Sequence, residues 1–114
     1  GAHNPSAARR LRQFIDRHFS GREIWMVFGV MRDKEVTEIA GELFSAASRL
    51  ILTRANQQRS LETESIRGLF PHPNSHACEH VSEAIAMLDQ APSDAVIFIT
   101  GSLFVVGEAR PLLQ

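Results

Sequence analysis

The sequence predicts an α/β fold in three layers, a mostly parallel sheet with helices on both faces. Two observations carry that expectation. Short apolar runs rich in β-branched and aromatic residues, at Ile24-Trp25-Met26-Val27-Phe28, Leu50-Ile51-Leu52 and Ala95-Val96-Ile97-Phe98-Ile99, read as buried strands. Segments of helical periodicity separate them. The resulting alternation implies parallel strands joined by right-handed crossovers.

Taken in order, Ser6 to Phe19 reads as the first helix, with Pro5 suited to its opening turn. Leu11, Phe14, Ile15, His18 and Phe19 follow i, i+3, i+4, i+7, i+8 spacing and predict its apolar stripe. Arg9, Arg10, Arg12 and Arg17 lie off the stripe and form a solvated face. The Ile24–Phe28 strand is closed by Gly29. A turn then leads to a helix capped by Asp33, with Glu35 and Glu38 in its first turns and Val36, Ile39, Ala40, Leu43, Phe44 and Ala47 inward. Arg49 to Thr53 forms the next strand, followed by the polar loop Arg54 to Arg59. A helix from Leu61 to Phe70 directs Ile66, Leu69 and Phe70 inward. Pro71 and Pro73 break the chain before a short strand over Ser75–Cys78. Val81, Ala84, Ile85 and Leu88 mark another helix. Ala95 to Ile99 is expected to be a central strand buried on both faces, ending in the turn Thr100-Gly101-Ser102. Gly107 and Pro111 keep the last helix short.

With 114 residues the chain is expected to be one domain, 1–114, with a sizeable core. It opens Gly1-Ala2-His3-Asn4-Pro5 without an initiating Met, so it is expected to be excised from a longer protein. The formal net charge of −1 argues against general nucleic-acid binding. No apolar run approaches a membrane span, and no membrane partner is expected. Cys78 is alone, so no intrachain disulfide forms, and a reducing, cytoplasmic setting is expected.

In open parallel sheets ligands sit at the carboxyl ends of the strands. That rule selects three turns: Gly29 to Lys34, Thr53-Arg54, and Thr100 to Ser102. Lys34 is the only lysine. There is no Gly-x-Gly-x-x-Gly after a strand and no Gly-x-x-x-x-Gly-Lys-Ser/Thr, so this segment alone should not hold a nucleotide tightly. Nothing arranges a base around Cys78 as a nucleophile would need. His72, His76 and His80 recur every four residues, but Pro73 breaks the helix that would align them, and no metal site is expected.

Gly1-Ala2-His3-Asn4-Pro5, Phe28-Gly29-x-x-x-Asp33-Lys34-Glu35, Thr53-Arg54 and Thr100-Gly101-Ser102-Leu103-x-x-Val106-Gly107-Glu108 occur in this order. Together they resemble the C-terminal domain of folylpolyglutamate synthase/dihydrofolate synthase, a member of the Mur-ligase superfamily. The resemblance covers nearly the whole chain. It implies an ATP-dependent ligase in which a carboxylate of dihydropteroate or a folate becomes an acyl phosphate and is attacked by the amino group of L-glutamate. ATP and Mg would be held mainly by a central ATPase domain, against which this one packs and closes. The isolated domain would be inactive. By position, His3 and Asn4 would meet ATP. Lys34, Thr100, Gly101, Ser102 and, more speculatively, Arg54 would bind glutamate. Phe104 stands where a Tyr is common. The alternatives are the C-terminal domain of another Mur-type amino-acid ligase, or a free-standing α/β ligand-binding or interaction module without catalytic activity.

Overall fold

The computed structural model describes residues 4–31, 35–57 and 60–113. Five helices and four strands alternate as expected: α1 (Pro5–His18), β1 (Ile24–Gly29), α2 (Val36–Leu43), β2 (Arg49–Leu52), α3 (Thr63–Leu69), β3 (Ser75–Ala77), α4 (Val81–Met87), β4 (Val96–Gly101) and α5 (Leu103–Ala109). The sheet runs β3-β2-β1-β4, with every pair parallel.

Side-chain alternation along the strands divides the core into two faces. Ile24, Met26 and Phe28 of β1, with Leu50 and Leu52 of β2, pack under α1, α2 and α3 through Ala8, Ile15, Ile39, Leu43 and Ile66. Rings join these elements edge to face, Phe28 on Phe44 and Phe44 on Phe70, with centroids 5.1 and 5.8 Å apart. On the opposite face Trp25, Val27 and Ile51 meet Cys78 and Ala84, while Val81, Val105 and Ala109 pack together as α4 and α5 meet. Strand β1 is buried along its whole length because helices cover both of its faces and strands flank both of its edges.

Helix α1 begins where the chemistry allows. The Asn4 side chain accepts the Ala7 N–H at 2.8 Å, and Pro5 fills the position that needs no donor. Gly21, at φ 79°, turns the chain back into β1. Arg9 pairs with Glu42 and Arg12 bonds Ser45, so α1 and α2 lie side by side in the same direction. Asn4 therefore sits at the carboxyl end of the strands.

Several expectations are corrected. Strand β4 is an edge strand, not a central one, and Ile97 is 42% exposed. The chain steps from β1 to β2 to β3, then crosses back beyond β1, leaving β4 one neighbour. Phe14 is 47% exposed, because α1 turns Ala8 and Ile15 rather than Phe14 toward the sheet. Leu69 also faces outward, while Ile66 fills the core one turn earlier. Glu35 is the residue before α2 and makes no side-chain cap bond; Asp33 lies outside the described residues. Helices α2, α4 and α5 each tighten into a 3-10 turn at their C-terminal ends.

The strand ends meet at two glycines. Gly101, at φ 105°, is paired with Gly29, and a β-carbon on Gly101 would run into the Gly29 carbonyl oxygen. Gly101→Ala is therefore expected to destabilise the fold by about 2–5 kcal/mol, from left-handed backbone strain plus overpacking. Denaturant unfolding checks this, and a loss below about 1 kcal/mol would contradict it.

Candidate functional site

The sheet reverses its winding between β1 and β4. After Gly29 the chain leaves for α2 on one face, and after Gly101 it leaves for α5 on the other. A crevice at such a point is where ligands enter parallel sheets. Two of the three turns selected from sequence border it directly, and the third lies one strand away.

Thr100, Gly101 and Ser102 close β4 and are all buried. Ser102 is the N-cap of α5. Its hydroxyl oxygen accepts the Phe104 N–H at 3.1 Å, and its carbonyl accepts the Val106 N–H. A serine hydroxyl that accepts one bond still has its own proton to donate, which suits a carboxylate oxygen. Arg54 follows Thr53 at the end of β2 and is half-buried. Leu52 and Thr100 both pair with Phe28, so the ends of β2 and β4 reach the same height on either side of β1, and Arg54 and Ser102 each follow two residues later in the chain. Asn4 lies at this same end, its side-chain oxygen committed to the α1 cap. His3 and Lys34 lie outside the described residues.

The loops are tied to one another. Met31 bridges to Ser60, and the Leu61 N–H reaches the Val30 carbonyl at 2.9 Å, joining the loops after β1 and β2. The Ser60 hydroxyl donates to the Ala55 carbonyl at 2.8 Å. The Asn56 N–H donates to Glu108 Oε2 at 2.7 Å, joining the β2 loop to α5. A β-carbon on Gly29 would stand 2.5 Å from the Thr53 carbonyl oxygen and 2.8 Å from Val105 Cγ2. Three strand ends and one helix thus form a single packed unit.

Two residues here carried no assignment from sequence. Thr53 is fully buried, and among the described residues its hydroxyl has no hydrogen-bond partner, a state that costs about 1–3 kcal/mol. Glu108 stood within a quoted motif without a role. Its spacing from Val105 and Ala109 places it on the α5 face that meets Ala55, and that is the signal that could have found it.

The histidines go to separate tasks. His72 Nε2 meets the Ala47 carbonyl at 2.9 Å, His76 is exposed on β3, and His80 forms a capping box with Glu83 on α4. Among the described residues no three His, Cys, Asp or Glu side chains stand close enough to hold a metal ion. No step is assigned to a metal at these residues.

Cys78 is buried with its thiol 3.6 Å from Met87 Sδ. Burial, with the Glu83 carboxylate adding to it, pushes the thiol pKa above its ordinary value. The folded state keeps its thiol proton at a pH where the unfolded chain has lost it. That contribution to stability is full below the ordinary thiol pKa and is lost as pH rises through the raised one. Native protein at pH 8 should therefore react with a maleimide far more slowly than protein unfolded in guanidinium; equal rates would contradict the assignment.

Comparison with known proteins fits this geometry. Residues 1–103 match the family model described as Mur ligase, glutamate ligase domain. A probable bifunctional folylpolyglutamate synthase/dihydropteroate synthase of Haloferax volcanii is 35% identical over 96% of this chain and 13% of its own length. The Mycobacterium tuberculosis folylpolyglutamate synthase complexed with ADP superposes with a TM-score of 0.84 at 28% identity, over 98% of this chain and 28% of that one. The E. coli FolC complex with DHPP and ADP shares the fold, with a TM-score of 0.89 at 19% identity, over 98% of this chain and 27% of that one. The chain spans only 13% to 26% of the length of the curated relatives it matches.

Proposed function

The chain belongs to the Mur ligase glutamate ligase domain family, and on that premise we propose that it is the glutamate-binding, nucleotide-closing domain of a folate-pathway amide ligase. The observation that carries the reading is the Thr100-Gly101-Ser102 turn at the crevice between β1 and β4, in a member of this family. Relatives named as dihydrofolate or folylpolyglutamate synthases favour a folate-type acceptor over other Mur-type substrates.

In this reading ATP converts a carboxylate of dihydropteroate or a folate into an acyl phosphate, held mainly by a central domain that also carries Mg. The amino nitrogen of L-glutamate attacks the acyl carbon, phosphate leaves, and the nitrogen loses a proton to give the amide. The residues of this chain orient the amino acid. The Ser102 hydroxyl donates to a glutamate carboxylate, and the buried turn shields it from competing water. Lys34 supplies a cation beside the amino acid, and Arg54, two residues beyond β2, is the candidate partner of the second carboxylate. His3 and Asn4 approach the ATP phosphates as the domain closes. Closure excludes water from an acyl phosphate that otherwise hydrolyses. A domain holding half a site binds weakly and does not turn over alone. The whole segment is proposed to act as one domain, in the cytoplasm, where a single unpaired cysteine is stable.

The protein carrying this domain should add L-glutamate to dihydropteroate or a folate in an ATP-dependent assay. Failure with both acceptors would overturn the folate assignment and turn the search to other Mur-type amino acids. Ser102→Ala and Lys34→Ala should each raise the KM for glutamate or lower turnover about tenfold or more. Lys34→Ala should leave the unfolding midpoint nearly unchanged, while Ser102→Ala should also cost about 1 kcal/mol of stability through the lost α5 cap. Unchanged kinetics in both would remove these residues from the site.

A further inference from the structure

We propose that Glu108 is a positioning residue that clamps the loop after β2 to α5, so that Arg54 and Ser102 face one amino-acid substrate from fixed positions. The inference rests on the glutamate-binding reading above and adds to it a residue that touches no substrate.

The Glu108 carboxylate accepts the Asn56 backbone N–H at 2.7 Å, across 52 residues of sequence. An ionised acceptor on a backbone donor makes a short, strong bond. Glu108 sits in the second turn of the helix that Ser102 caps, so its anchor is rigid with respect to Ser102. The clamped residue is two positions from Arg54. Ala55, between them, is buried against Val81, Val105 and Ala109, and its carbonyl accepts the Gln57 N–H and the Ser60 hydroxyl. Ser60 then bridges to Met31 on the loop after β1. A carboxylate on α5 thus holds the loop that carries Arg54 and, through Ser60, reaches the first turn after β1. Without Glu108, Ala55 would keep the loop near the core, but among the described residues no charged group would fix the backbone at Asn56.

Substrate positioning is sensitive to displacements of about 1 Å, so a loosened wall is read in substrate affinity before it is read in stability. The test compares Glu108→Ala with Glu108→Gln, whose amide oxygen can still accept the Asn56 N–H, in the full-length protein. Hydrogen exchange of the 54–60 segment, read by mass spectrometry, reports the clamp itself. KM for glutamate and KM for ATP report its consequence. Glu108→Ala should speed exchange in that segment and raise the glutamate KM about tenfold, with the ATP KM within about twofold. Glu108→Gln should recover most of both effects. Unchanged exchange in Glu108→Ala would overturn the clamp. Faster exchange with an unchanged glutamate KM, or with both KM values raised alike, would overturn the positioning role. An unsubstituted protein that shows no glutamate-dependent ligation would instead overturn the glutamate-binding reading, and with it the amino-acid role of the clamp.

Discussion

The structure depends most on how closely three strand ends approach. The Gly29 carbonyl stands where a β-carbon of residue 101 would be, and the Thr53 carbonyl stands where a β-carbon of residue 29 would be. Only glycine at both positions lets β1 meet the ends of β2 and β4 without side chains between them. Gly101 also takes a backbone angle that other residues rarely adopt. The sheet could have ended raggedly; instead its carboxyl edge is a tight platform. Everything assigned to function stands on that platform or is tied to it.

Two kinds of bond turn the platform into a site. Backbone pairing sets the height at which each strand ends, with Leu52 and Thr100 both level with Phe28. Side-chain bonds then fix the turns: Ser102 to Phe104, Ser60 to Ala55 and Asn56 to Glu108. Each uses part of a polar group's capacity and leaves the rest available, as with the Ser102 proton. The nearby Thr53 hydroxyl is the exception, buried and without a partner among the described residues, a local cost carried at the place where function is proposed. Cys78, one strand further out, is the opposite case. Packed against Met87 with a raised pKa, it is a core residue.

Much of this was legible in sequence, and the reasons differ by element. Unbroken apolar runs placed the strands and period-3.6 patterns the helices, because each buries one face or two and the apolar positions record it. The strand-end rule then selected turns that the fold gathers at one end. Strand order was not legible. Ala95 to Ile99 is as apolar as β1, yet it lies at the edge with one neighbouring strand, Val96 and Phe98 packing partly buried on one face and Ile99 on the other. Periodicity also misjudged rotation: Phe14 looks like a core residue on a helical wheel, but the small Ala8 is what lets α1 approach the sheet. The Asn56–Glu108 bond joins two polar residues far apart in the chain; helical spacing places Glu108 on the α5 face near Ala55, but nothing in the sequence names Asn56 as its partner.

That the strand ends form one amino-acid site is tested most directly by a crystal structure. The full-length protein would be crystallised with L-glutamate and a non-hydrolysable ATP analogue. Glutamate is expected between β1 and β4, with one carboxylate accepting the Ser102 hydroxyl and the other on the side of Arg54. Glutamate ordered elsewhere, with Ser102 and the Gly101 turn untouched, would contradict it.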